Sequence, residues 1–149
     1  MRALGDGSRI GTTPHIILDN SANLDSQLDM HAFCVALNDA AAATGVFPPA
    51  GIRVRAHAAD HSVVADGDPR HGFVDITIRL AAGRDAATKT RVTDAVFEAA
   101  RAFTADLMGS APFMLSLVML SLELREIDSD NSRKVSSIRA YLPPDMHGA

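Results

Sequence analysis

The chain has 149 residues, enough for one domain with a real hydrophobic core and little more. With 47% hydrophobic and 21% charged residues it reads as an ordinary globular protein. A net charge of −4 excludes a general nucleic-acid binder, the lone Cys34 excludes an internal disulfide, and no apolar run approaches the roughly 18 residues of a membrane span.

Residues 1–13 are rich in Gly, Ser and Thr, carry Arg2 and Arg9, and lack the apolar stretch of a signal peptide. They read as a flexible leader or an artefact of the gene start, ahead of a single domain over 14–149 with a cytoplasmic location. The first strand is predicted over about 14–20, opened by Pro14, where proline removes no ladder hydrogen bond. A helix follows over about 26–44, with Leu28, Ala32, Val35 and Phe33, Ala36, Leu37, Ala40 as its apolar stripe and Gly45 as its stop. Cys34 within it reads as a small buried hydrophobe. Phe47-Pro48-Pro49 forms a rigid link into a second strand over about 51–59. There Ile52, Val54 and Ala56 alternate with Arg53, Arg55 and His57.

Asp66-Gly67-Asp68-Pro69 marks a turn within 60–71. A third strand over about 72–82 sets Phe73, Asp75, Thr77 and Arg79 opposite Val74, Ile76, Ile78 and Leu80. A second helix is expected over about 86–108, capped by Asp85 and ended by Gly109, with Val92, Ala95, Val96, Ala99, Phe103 and Leu107 as its core stripe. A long strand over about 114–127 follows, the apolar run from Phe113 to Leu120 reading as buried. The tail over about 133–142 offers short pairing segments before Pro143-Pro144 ends regular structure.

The order is β-α-β twice, an α/β (α+β) pattern. Right-handed crossovers make each half a parallel strand pair under its helix, so a four-stranded sheet carries two helices on one face. An apolar open face would have to be buried, most simply by self-association.

Arginine is the side chain best suited to gripping carboxylates. Arg53, Arg55, Arg79 and Arg84 all fall on strands or strand ends, where they also serve as ordinary polar-face residues. Arg84 stands out, beside Gly83 and just before a helix N-terminus, both favourable for an anion. The six histidines show no metal-ligand spacing, and neither a nucleophile elbow nor a phosphate loop is present.

Pro14-His15-Ile16-Ile17-Leu18, Ala43-Thr44-Gly45-Val46-Phe47-Pro48 running into Gly51-Ile52-Arg53-Val54-Arg55-Ala56-His57, Ala65-Asp66-Gly67, Ala82-Gly83-Arg84 and Leu120-Ser121-Leu122-Glu123 together resemble the 5-carboxymethyl-2-hydroxymuconate delta-isomerases of the tautomerase superfamily. The similarity runs over about 14–142, without gaps from Pro14 through Arg84, while 109–118 is longer than the family's pattern. The resemblance implies a tautomerase-like doubled β-α-β unit assembled as a homotrimer with its sheets inward, no cofactor, and a role in homoprotocatechuate breakdown. It carries the family's catalytic amino-terminal proline onto Pro14 and its two carboxylate-binding arginines onto Arg53 and Arg84.

One departure stands against that pattern. The family reads Met-Pro, so that loss of Met frees a prolyl amine, whereas here Thr13 precedes Pro14. A misplaced start, a leader removed by proteolysis, or a homologue without this catalysis would each account for it. The expectation is therefore an isomerase conditional on exposure of Pro14. The rivals are a non-catalytic small-acid-binding or structural homologue, and a superfamily decarboxylase or dehalogenase.

Overall fold

The structure, a computed structural model, describes residues 14–114, 118–127, 129–131, 135, 137–141 and 143–146. The expected leader lies outside these residues. Two β-α-β units share one sheet. In the first, β1 (His15–Ser21) leads through a 3-10 turn (Ala22–Ser26) and α1 (Met30–Ala43) to β2 (Arg53–Ala59). In the second, β3 (Gly72–Ala81) leads through α2 (Ala86–Phe103) and α3 (Ala105–Met114) to β4 (Val118–Ile127).

Strand order is β2-β1-β3-β4, with β1 parallel to β2, β3 parallel to β4, and the two units joined by the antiparallel pair β1–β3. This is the doubled unit expected from the element order. Alternation along the strands decides which residues meet the helices. Ile16, Leu18, Val74, Ile76, Ile78 and Leu80 are all buried against Phe33, Leu37 and Ala41 of α1 and Val92, Val96 and Ala100 of α2. Phe33 and Phe103 stack with ring centroids 4.6 Å apart, joining the helices of the two units.

The helix ends follow their local chemistry. Asp29 and Asp85 each accept a hydrogen bond from the backbone N–H three residues on, at 3.0 and 2.8 Å, filling one unpaired donor of the first turn. α1 therefore starts four residues later than its apolar stripe suggested. Gly45, at φ +73°, closes the end as expected. Cys34 is only half-buried, and burial pushes its thiol up.

Helix two departs from expectation. The backbone breaks at Thr104, whose hydroxyl donates to the Ala100 carbonyl at 2.9 Å, and α3 then runs straight through Gly109. Phe113 and Met114 consequently close a helix instead of opening a strand, and β4 begins only at Val118. In the tail, the described residues form 3-10 turns, the last of them starting at Pro144.

The sheet face away from the helices is also less apolar than the packing argument supposed. It carries Ile17 and Phe73, but also His15, Asp19, Arg53, Arg55, His57, Asp75, Thr77 and Arg79.

The β2–β3 connection is held by its own carboxylates. Asp66 accepts from the Asp68 N–H at 3.1 Å and pairs with His71 at 2.7 Å, while Asp68 receives the Arg70 backbone and guanidinium. Those bonds hold both carboxyls below their ordinary range. Where β3 begins, a Cβ on Gly72 would lie 2.7 Å from the Leu24 Cδ2 and 3.3 Å from the Ser21 Oγ. That hydroxyl accepts the Phe73 N–H at 3.0 Å, and Leu24 is buried, so neither neighbour can swing into solvent. Gly72→Ala is expected to destabilise the fold by about 1–3 kcal/mol, read as a lower urea midpoint. An unchanged midpoint would show that Leu24 has room to move.

Candidate functional site

Topology gathers the candidate residues at one end of the sheet. β1 and β2 are parallel, so both begin there; β3 is antiparallel to β1, so it finishes there. Pro14 precedes β1 and is buried, its carbonyl accepting the Arg53 N–H at 3.2 Å. Arg53 is thereby fixed directly beside Pro14 on the neighbouring strand. Arg84 lies just past β3, beyond Gly83 at φ +112°, a conformation that only glycine adopts without strain.

The environment of Arg84 is unusual for a surface arginine. Its guanidinium carbon sits 4.9 Å from the centre of the Phe47 ring, and Phe47 is itself 4% exposed. Phe47 belongs to the Phe47-Pro48-Pro49 link that enters β2, so the contact ties the connection before β2 to the connection after β3. The aromatic face attracts the cationic charge of the guanidinium. Burial lowers the proton affinity of Arg84, which nonetheless stays a cation. Its Nε is buried and has no hydrogen-bond partner among the described residues. A buried charged donor without an acceptor is costly, and a carboxylate would satisfy it.

One register row near this end is basic. A single register row runs Arg53, His15, Arg79 and Arg125 across the four strands. Asp19 and Asp75 pair with one another further along the strands, away from Pro14. The Pro14 end therefore carries a row of basic side chains although the whole chain is acidic, with Asp85 and the Lys89–Glu126 pair close by.

Two participants escaped the reading of the sequence. Phe47 was read as part of a rigid link and of the family resemblance, and His15 as part of the same resemblance and as a histidine lacking metal spacing, neither with a role in the site. Yet the His15 Nε2 lies 2.9 Å from the Arg53 Nη2, and its Nδ1 lies 3.4 Å from the Arg55 Nη1. The period-2 alternation and the parallel β1–β2 pairing were both legible, but the register that sets His15 against Arg53 was not.

Comparison with known proteins bears on this arrangement. The family model for 5-carboxymethyl-2-hydroxymuconate isomerase matches residues 14–142. The 5-carboxymethyl-2-hydroxymuconate Delta-isomerase of Escherichia coli is 32% identical over 127 residues, covering 85% of this chain and 97% of that protein. A crystal structure of a 5-carboxymethyl-2-hydroxymuconate delta-isomerase superposes with a TM-score of 0.79 at 29% identity, covering 90% of this chain and 95% of the other. A second, of a 5-carboxymethyl-2-hydroxymuconate isomerase from Deinococcus radiodurans R1, gives 0.77 at 28% identity, covering 89% and 96%.

Proposed function

Given that the chain belongs to the 5-carboxymethyl-2-hydroxymuconate isomerase family, we propose that it isomerises 5-carboxymethyl-2-hydroxymuconate or a close unsaturated 2-hydroxy polycarboxylate, a step in aromatic catabolism. The observation that carries this reading is the buried Arg84 Nε, without a hydrogen-bond partner among the described residues and held over Phe47 at the Pro14 end of the sheet. A carboxylate of such a substrate can accept a hydrogen bond from that donor.

In the reaction the dienol loses its hydroxyl proton and gains a proton on carbon. One base can perform both transfers if its proton affinity is close to neutral. A free prolyl amine at Pro14 suits this task, since an α-amino group ordinarily titrates at about 7.7–8.0 and neighbouring cations favour its neutral form. Arg53 is joined to Pro14 by the backbone, its N–H donating to the Pro14 carbonyl. In this scheme Arg53 and Arg84 bind substrate carboxylates and offset negative charge developing on the substrate oxygen. The scheme calls on no metal or cofactor.

The working form in this proposal is a homotrimer in the cytoplasm, with the uncovered sheet faces turned toward one another. No helix among the described residues is long and apolar enough to cross a membrane. The polar character of that face means such an assembly would be held by charge pairing and hydrogen bonds as much as by apolar burial.

Thr13 ahead of Pro14 favours a second reading, a homologue that binds acids through the same arginines without catalysis. Mixing purified protein with 5-carboxymethyl-2-hydroxymuconate, while following the dienol absorbance and the intact mass, separates the two. Turnover by a species whose mass starts at Pro14 supports the isomerase. A stable full-length species that binds the acid and leaves its absorbance unchanged supports the second reading.

A further inference from the structure

Arg53 can grip a carboxylate well only if its guanidinium is held in one orientation, because an arginine fork otherwise pays side-chain entropy when it binds. The structure offers one neighbour for it. The His15 Nε2 lies 2.9 Å from the Arg53 Nη2. A guanidinium has donors and no acceptor, so the contact is a hydrogen bond only when Nε2 carries the imidazole lone pair. In a neutral ring the proton then sits on Nδ1. The approach of the Arg55 Nη1 to Nδ1, at 3.4 Å, is correspondingly long for a hydrogen bond.

The strand register makes this contact possible: His15 is the Cα partner of Arg53 on one side and of Arg79 on the other. An imidazolium in that place would lose its lone pair and add a further positive charge to the row. His15 is thus suited to be the neutral member of the row, accepting from one arginine and separating it from the next.

We propose that His15 is a positioning residue for carboxylate binding: its neutral imidazole accepts a hydrogen bond from Arg53 and restrains the fork. The proposal rests on the reading of Arg53 as a carboxylate anchor. It does not require Pro14 to be free, because orienting an arginine involves no proton transfer.

The test uses the full chain and an unreactive dicarboxylate, adipate, titrated by calorimetry, with thermal melts to verify folding. His15→Leu, which fills similar space without an acceptor, is expected to weaken adipate binding about tenfold, the order of one hydrogen bond to a charged group. His15→Gln, whose amide oxygen can replace Nε2, should stay within about threefold of the parent. In an Arg53→Ala background, which should itself bind weakly, His15→Leu should add nothing, since the two act as one unit. If Arg53→Ala weakens binding while His15→Leu does not, or if the two losses simply add, the positioning role is overturned and the anchor reading stands. If Arg53→Ala binds adipate like the parent, both fall together.

Discussion

A chain that begins at Pro14 is expected to isomerise its substrate at least about a hundredfold faster than the chain that retains Thr13, the lower end of what a positioned base contributes. The difference lies in one bond. Within the chain the Pro14 nitrogen is an amide with neither a proton nor a usable lone pair; at a terminus it is a secondary amine with both. Pro14 is buried and its carbonyl is held by the Arg53 N–H at 3.2 Å, so an amine there would be fixed relative to the substrate. Limited proteolysis followed by N-terminal sequencing and rate measurement on each species checks this. On the shortened chain, Pro14→Ala should lower kcat by about a hundredfold, since an unconstrained primary amine loses both the ring and its placement. Equal rates for the two chains, or for proline and alanine, would end the case for a prolyl base.

Replacing Arg84 should act on binding more than on turnover. Arg84→Ala is expected to raise the Kd for di- and tricarboxylates by roughly ten- to a hundredfold, as for a lost hydrogen bond between charged groups. Arg84→Lys should recover only part of this, because an ammonium is a point charge that neither stacks on Phe47 as a plane nor presents two parallel donors. The fold should tolerate both changes, as the Arg84 Nε has no hydrogen-bond partner among the described residues to lose. Affinity unchanged by Arg84→Ala would make the arginine a surface residue that happens to lie over an aromatic ring.

The order of elements was open to reading from the chain because both halves announce themselves with local signals. Gly45 and Asp85 mark helix limits through local chemistry confined to a few residues, and burial alternates without a break over 72–80. The end of α2 was not, because glycine at 109 is tolerated inside a helix while a threonine hydroxyl can cap from within one. Arg84 could be singled out from position, since it follows a glycine and precedes a helix. What holds it could not. Phe47 and Arg84 are brought together by the packing of two separate crossovers, and no spacing in the chain encodes that distance.

The site is also a joint between the two repeats. Pro14, Phe47 and Arg53 come from the first β-α-β unit, Arg84 from the second, and the antiparallel β1–β3 pair is the backbone seam between them. An acid that engages Arg53 and Arg84 together therefore spans the seam, and it can do so only while the repeats are docked. By mass action, such a ligand at a hundred times its dissociation constant adds about 2.7 kcal/mol to the stability of the docked state. In the proposed scheme the seam's slowest-exchanging amides would therefore exchange more slowly when such an acid is bound.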